Sequence, residues 1–131
     1  MELYKNNTVS VIIPIYNAER FIATALDSVL QQSYKDIEII LVDDCSSDHT
    51  EEVVNGYVEQ YPQIMYQRLN KNQGAAVARN TALGLAKGRF VAFLDSDDVW
   101  CEGKLEFQLN FMNKIGGGNE GQITHSLHKA Y

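Results

Sequence analysis

Cysteine, proline and tryptophan are scarce in this 131-residue sequence, with two, two and one of each. Cys45 and Cys101 have no second Cys or His at zinc-finger spacing. That excludes a disulfide scaffold and a Cys-rich zinc module, and both read as free thiols. His49, His125 and His128 are isolated, and the last two lie in a tail without clear periodicity. Long apolar runs are also missing. Val9–Ile15 and Ile37–Val42 fall far short of the ~20 residues of a spanning helix, so no transmembrane segment is expected. No basic-then-apolar leader with a cleavage site is present, so secretion is not expected and a cytoplasmic location is. Basic charge is outnumbered, 11 against 17 acids for a net charge of −6. Nucleic-acid binding, which needs a basic footprint, is therefore not expected. Gly-x4-Gly-Lys-Ser/Thr does not occur and no Gly-x-Gly-x-x-Gly follows the first strand, which removes the P-loop and dinucleotide fingerprints.

What remains is a composition of 45% hydrophobic and 21% charged residues, ordinary for one soluble domain with a real core. Apolar runs and amphipathic stretches alternate. Thr8–Pro14, Ile37–Val42, Ile64–Leu69 and Arg89–Leu94 read as strands, the first ended by Pro14. Helices are expected over Ala18–Gln32, Thr50–Tyr61, Ala75–Lys87 and Lys104–Ile115. Asn17 reads as the cap of the first, Asp48 with Glu51 as a capping box for the second, and Gly88 as the left-handed residue ending the third. Near-continuous apolar strands alternating with helices predict an α/β fold, a mostly parallel sheet of about four strands with helices on both faces. The pattern breaks at Gly116, dividing the chain into a domain over 1–115 and a Gly-rich irregular tail over 116–131.

The acids are unevenly placed. Asp43, Asp44, Asp95, Asp97 and Asp98 form two tight clusters, and without them the balance is 12 acids against 11 bases. Both clusters fall at the carboxyl ends of expected strands, where open α/β sheets bind ligands. Three carboxylates within four residues repel one another unless a cation relieves them. Oxygen ligands without His or Cys suit Mg²⁺ or Mn²⁺, and Mg²⁺ sites are commonly completed by substrate phosphates.

Five stretches over residues 8–113, in order, resemble the inverting glycosyltransferases of family 2, which have the Rossmann-like GT-A fold. They are Val9-Ser10-Val11-Ile12-Ile13-Pro14-x-Tyr16-Asn17; Ser28-Val29-Leu30-x-Gln32-Ser33-Tyr34; Glu38-Ile39-Ile40-x-Val42-Asp43-Asp44-x-Ser46-x-Asp48; Asn72-x-Gly74-x-x-x-Ala78-Arg79-Asn80; and Gly88-x-x-Val91-x-Phe93-Leu94-Asp95-Ser96-Asp97-Asp98. Trp100, Lys104-Leu105-Glu106 and Gln108-Leu109 continue the likeness. Cys45 departs from it, standing where the family often has glycine.

The resemblance implies a nucleotide-diphospho-sugar donor, a Mn²⁺ or Mg²⁺ cofactor and a glycan or lipid-linked acceptor in polysaccharide or glycolipid assembly. By matching position, Pro14 and Tyr16 line the base pocket, Asp44 binds the base and Arg79 approaches base or phosphate. Asp97 holds the ribose or shares the metal, Asp98 coordinates it, and Asp95 lies close by. The family's general base lies well beyond the acidic run, so the expectation is a donor-binding half whose catalytic base falls beyond Tyr131. Structural alternatives stay open: Tyr16 as core, Asn17 and Asp48 as caps, Gly74 as backbone geometry, and Arg79 as an ion-pair partner of Asp44 or Asp95. A non-catalytic nucleotide-binding remnant and a Mg²⁺-binding receiver-like signalling domain are the competing functions. Self-association and peripheral attachment at the inner face of a membrane are further expectations.

Overall fold

The computed structural model describes residues 5–114. The expected tail over 116–131 lies outside them, as does Ile115. The described elements run β1 (Lys5–Ile15), α1 (Ile22–Leu30), β2 (Ile37–Asp43), α2 (Thr50–Gln60), β3 (Ile64–Arg68), α3 (Ala75–Leu85), β4 (Gly88–Phe93) and α4 (Lys104–Lys114). The strands form one parallel sheet in the order β3-β2-β1-β4. β1 and β2 are central and carry the most apolar runs, so Val9, Val11, Ile12, Ile13, Ile39, Ile40, Leu41 and Val42 are all buried. Burial of each such side chain stabilises the fold by about 1.5–3 kcal/mol.

Alternation along the strands divides the core. Val9, Val11, Ile13 and Ile15 of β1, with Ile39 and Leu41 of β2, pack with Ile22, Leu26 and Val29 of α1, Val54 of α2 and Leu105 of α4. Ile12, Ile40 and Val42 face the other way, onto Ala78 and Ala82 of α3. Small alanines let α3 lie close against its face of the sheet. Helices cover both faces, as the strand pattern predicts.

Three local expectations are corrected. Pro14 does not end β1, because it pairs with Val42 inside the strand. Its missing N–H does no harm there, since the β1–β4 register stops at Ile12↔Phe93. Asn17 caps no helix: α1 begins at Ile22, and Asn17 sits at φ 49°. Gly88 is not a left-handed helix terminator but the first residue of β4. A Cβ there would lie 2.6 Å from both Ser10 Oγ and the Thr8 carbonyl oxygen, and the Gly88 N–H donates to Ser10 Oγ. Close approach of β4 to β1 is what requires glycine.

Candidate functional site

The chain turns away from the sheet differently on each side of β1. On the β2 side, Asp44 N donates to the Ile15 carbonyl at 2.8 Å, carrying the ladder one step past the strand. On the β4 side, Leu94 N donates to the Ile12 carbonyl at 3.0 Å and pairing ends. The side on which strands are added reverses across this boundary: β2 and β3 lie to one side of β1 and β4 to the other. A crevice of about 540 Å³ opens there, at the switch point where ligands bind in open α/β sheets. Pro14, Tyr16, Asp44, Arg79, Asp95 and Asp97 all line it.

Four loops and the start of α3 make its walls. The loop after β1 is stitched to the loop after β2: Asn17 Oδ1 accepts from Ser47 N at 2.8 Å, Asn17 N donates to Ser46 Oγ and Ala18 N to Thr50 Oγ1. Asn17 therefore spends its side chain on the neighbouring loop. The expected capping box is replaced by a related arrangement. Asp48 accepts from Thr50 N at 2.9 Å and from Thr50 Oγ1, and from Glu19 N at 3.2 Å. Burial works to raise the Asp48 pKa, but these hydrogen bonds outweigh it and hold the carboxyl below its usual value.

Asp43 and Asp44 are buried, at 0% and 4% exposure. Asp43 Oδ1 accepts from Ser46 N at 2.9 Å and Ser46 Oγ at 2.6 Å, while Oδ2 accepts from the Tyr66 hydroxyl at 2.6 Å. The Arg68 guanidinium lies 3.9 Å from Asp43 and 3.7 Å from Glu51. Burial and the bond to Asp43 push the Tyr66 phenol pKa well up. Asp44 grips the start of α3, with Oδ1 accepting from Gln73 N at 2.7 Å and Oδ2 from Gly74 N at 2.8 Å. Gly74 takes φ 103° there, while a Cβ would meet nothing within 4 Å. Backbone conformation, not space, calls for glycine at that position.

The second cluster is the opposite case. Asp95, Asp97 and Asp98 are exposed, and an oxygen from each lies within 4.8 Å of the others. Asp98 N donates to the Asp95 carbonyl at 3.0 Å, closing the turn that gathers them. Asp98 is not among the crevice-lining residues and joins the site through this trio. Tyr16 is 50% exposed and so is not core. Arg79 is half-buried and, among the described residues, makes no ion pair with Asp44 or Asp95. Phe21 also lines the crevice, 47% exposed. It falls inside the helix expected over Ala18–Gln32, but α1 begins at Ile22 and Phe21 stands at its N-cap position.

The acidic trio, the Tyr16 ring and the Arg79 guanidinium thus stand around one crevice. Residues 10–123 match the family model for glycosyl transferase family 2. The chain belongs to this family. An Escherichia coli family 2 relative, the UDP-Glc:alpha-D-GlcNAc-diphosphoundecaprenol beta-1,3-glucosyltransferase WfgD, is 47% identical over 106 residues, 81% of this chain and 41% of that protein. The chain thus spans about two-fifths of the length of the first relatives it matches, 41% and 42% of theirs. Among solved structures, S. aureus TarS 1–349 in complex with UDP-GlcNAc superposes with TM-score 0.77 at 35% identity, over 82% of this chain and 31% of that one. The mannosyltransferase PcManGT from Pyrobaculum calidifontis, solved with GDP-Man and Mn²⁺, gives 0.74 at 31% identity, over 79% and 32%. The fold is that of GT-A glycosyltransferases. The receiver-like alternative falls, since the whole described fold lies with this family. No helix among the described residues is long and apolar enough to cross a membrane.

Proposed function

We propose that this chain supplies the donor-binding part of an inverting, metal-dependent glycosyltransferase, taking a nucleotide-diphospho-sugar for polysaccharide or glycolipid assembly. The observation that carries this reading is the exposed acidic trio at the mouth of a crevice that also holds Tyr16 and Arg79. The half-exposed Tyr16 ring offers a stacking face for a nucleobase. Each Asp44 oxygen already accepts one backbone N–H, and a carboxylate oxygen has a second lone pair to offer a base N–H or sugar hydroxyl. Pro14 closes the pocket beside Tyr16. Arg79 is placed to meet base or phosphate with several N–H donors.

The trio fits a hard divalent cation: three carboxylates, no His or Cys, and donor atoms close enough to share one ion. Asp98, with Asp97 where that residue does not hold the ribose instead, would hold Mn²⁺ or Mg²⁺, and Asp95 stands beside them. When bound, that ion supplies positive charge against the diphosphate as it leaves. A metal-bound carboxylate is a poor base, so none of the trio is assigned to deprotonate the acceptor. WfgD, by its name, works on a diphosphoundecaprenol-linked sugar, and a glycan or lipid-linked acceptor is the class proposed here.

The test is calorimetric titration of the 131-residue chain with UDP and GDP, with Mn²⁺ and then with excess EDTA. Binding of at least one nucleotide with Mn²⁺, lost with EDTA, is the expected outcome. Nucleotide binding indifferent to metal overturns the metal assignment, and no binding of either nucleotide overturns the donor reading.

A further inference from the structure

Two stretches of the family likeness play no part in the crevice: Ser28-Val29-Leu30-x-Gln32 and Trp100 through Leu105. The structure brings them together. Ser28 Oγ accepts from Trp100 N at 3.1 Å and donates to the Ala25 carbonyl at 2.7 Å. Gln32, just past the end of α1, donates through Nε2 to the Cys101 carbonyl at 2.8 Å and to the Ser28 carbonyl at 3.3 Å. Its Oε1 accepts from Leu105 N at 3.1 Å. Both side chains are buried, Gln32 at 1% exposure and Ser28 at 8%. These polar atoms are withdrawn from water to hold backbone about 70 residues away in the sequence.

The held segment begins two residues after Asp98. The turn over 95–98 is thus pinned at both ends, upstream by Leu94 N on the Ile12 carbonyl and downstream by Ser28 and Gln32. Between the pins, three carboxylates stand within 4.8 Å of one another. Like charges this close repel one another. An untethered turn would relax by spreading them, and a cation would then have to gather them again.

We infer that Ser28 and Gln32 are positioning residues for the Asp95–Asp97–Asp98 trio, holding the carboxylates gathered ahead of the divalent cation. This rests on the metal reading above and assigns no catalytic role to either residue. Loss of an outer tether commonly weakens metal binding by about 10–100-fold.

Mn²⁺ titration of the full 131-residue chain without nucleotide tests it. Gln32→Leu is expected to weaken Mn²⁺ binding by about tenfold, and Ser28→Ala by a smaller factor in the same direction. Amide hydrogen exchange over residues 95–101 should speed up in both variants. Ser10→Ala is the control: it removes a buried hydroxyl that bonds Glu38 and Gly88 at the opposite end of the sheet. It should leave Mn²⁺ affinity within about twofold. If Gln32→Leu does not fold, Ser28→Ala carries the test alone. Wild-type affinity in the folded variants, or an equal loss in Ser10→Ala, overturns the inference and leaves the metal site standing. A wild-type chain that takes up no Mn²⁺ overturns the metal reading and this inference with it.

Discussion

The two acidic clusters are alike in composition and in place, each directly following a parallel strand, yet their surroundings are opposite. Asp43 and Asp44 are buried and answered by the chain's own donors: Ser46, Tyr66 and two backbone amides at the start of α3. Asp95, Asp97 and Asp98 are exposed and gathered on one another. A buried carboxylate must be satisfied by the fold or it destabilises it. An exposed trio costs little alone and keeps its lone pairs for a ligand. One cluster builds the crevice and the other is left open at its mouth.

Substitution should separate them, the largest effect coming first. Asp43→Ala removes the acceptor for three donors, and is expected to destabilise the fold by about 3 kcal/mol. That is a fall of roughly 12 °C or more in thermal melts. Asp97→Ala in the same assay should stay within about 0.5 kcal/mol of wild type. Equal losses would mean the exposed cluster is structural after all. Next comes Asp98→Ala, expected to weaken Mn²⁺ binding at least about tenfold while leaving the melting curve in EDTA unchanged. Unaltered affinity would move the metal elsewhere.

The smallest effect concerns pH. Burial, and then the bond to Asp43, raise the Tyr66 pKa above the ordinary phenol value of about 10. A raised folded pKa stabilises below the unfolded value, and that contribution disappears as pH climbs through the folded one. Denaturant melts from about pH 8 to about pH 11 should therefore show a shallower alkaline decline in Tyr66→Phe than in wild type. Asp98→Ala should follow the wild-type curve. Identical slopes for Tyr66→Phe and wild type would uncouple Tyr66 from Asp43.

Much of this was legible in the sequence because apolar runs and helical spacing survive without context. The four strands, the four helices and the meeting of the strand ends follow from them, and six expected site residues do line one crevice. What composition could not separate was Asp43 from Asp98. The usable signal is alternation: Asp43 stands two residues after Leu41 and four after Ile39, the residues of β2 that face the larger core, so its side chain follows them inward. Asn17 and Gly88 were misread because cap and terminator rules are local. Asn17 answers amides 30 and 31 residues away, and Gly88 makes room for Ser10 across the sheet. Phe21 was missed for a boundary reason: the helix expected from Ala18 begins at Ile22, which leaves Phe21 at the cap and half-exposed. Ser28 and Gln32 could not be read at all, because their partners lie 69 to 73 positions along the chain.

The strand order β3-β2-β1-β4 also sets a timetable. Val9 meets Ile37 on one edge and Phe90 on the other. At about 5–20 residues per second of synthesis, the second partner emerges roughly 3–10 s after the first. Until then β1 offers an open row of backbone donors and acceptors to any passing strand. The β2 side of the crevice can form early, whereas the acidic turn arrives with β4. An ion or ligand that uses the acidic turn can therefore assist only those folding steps that follow the emergence of β4.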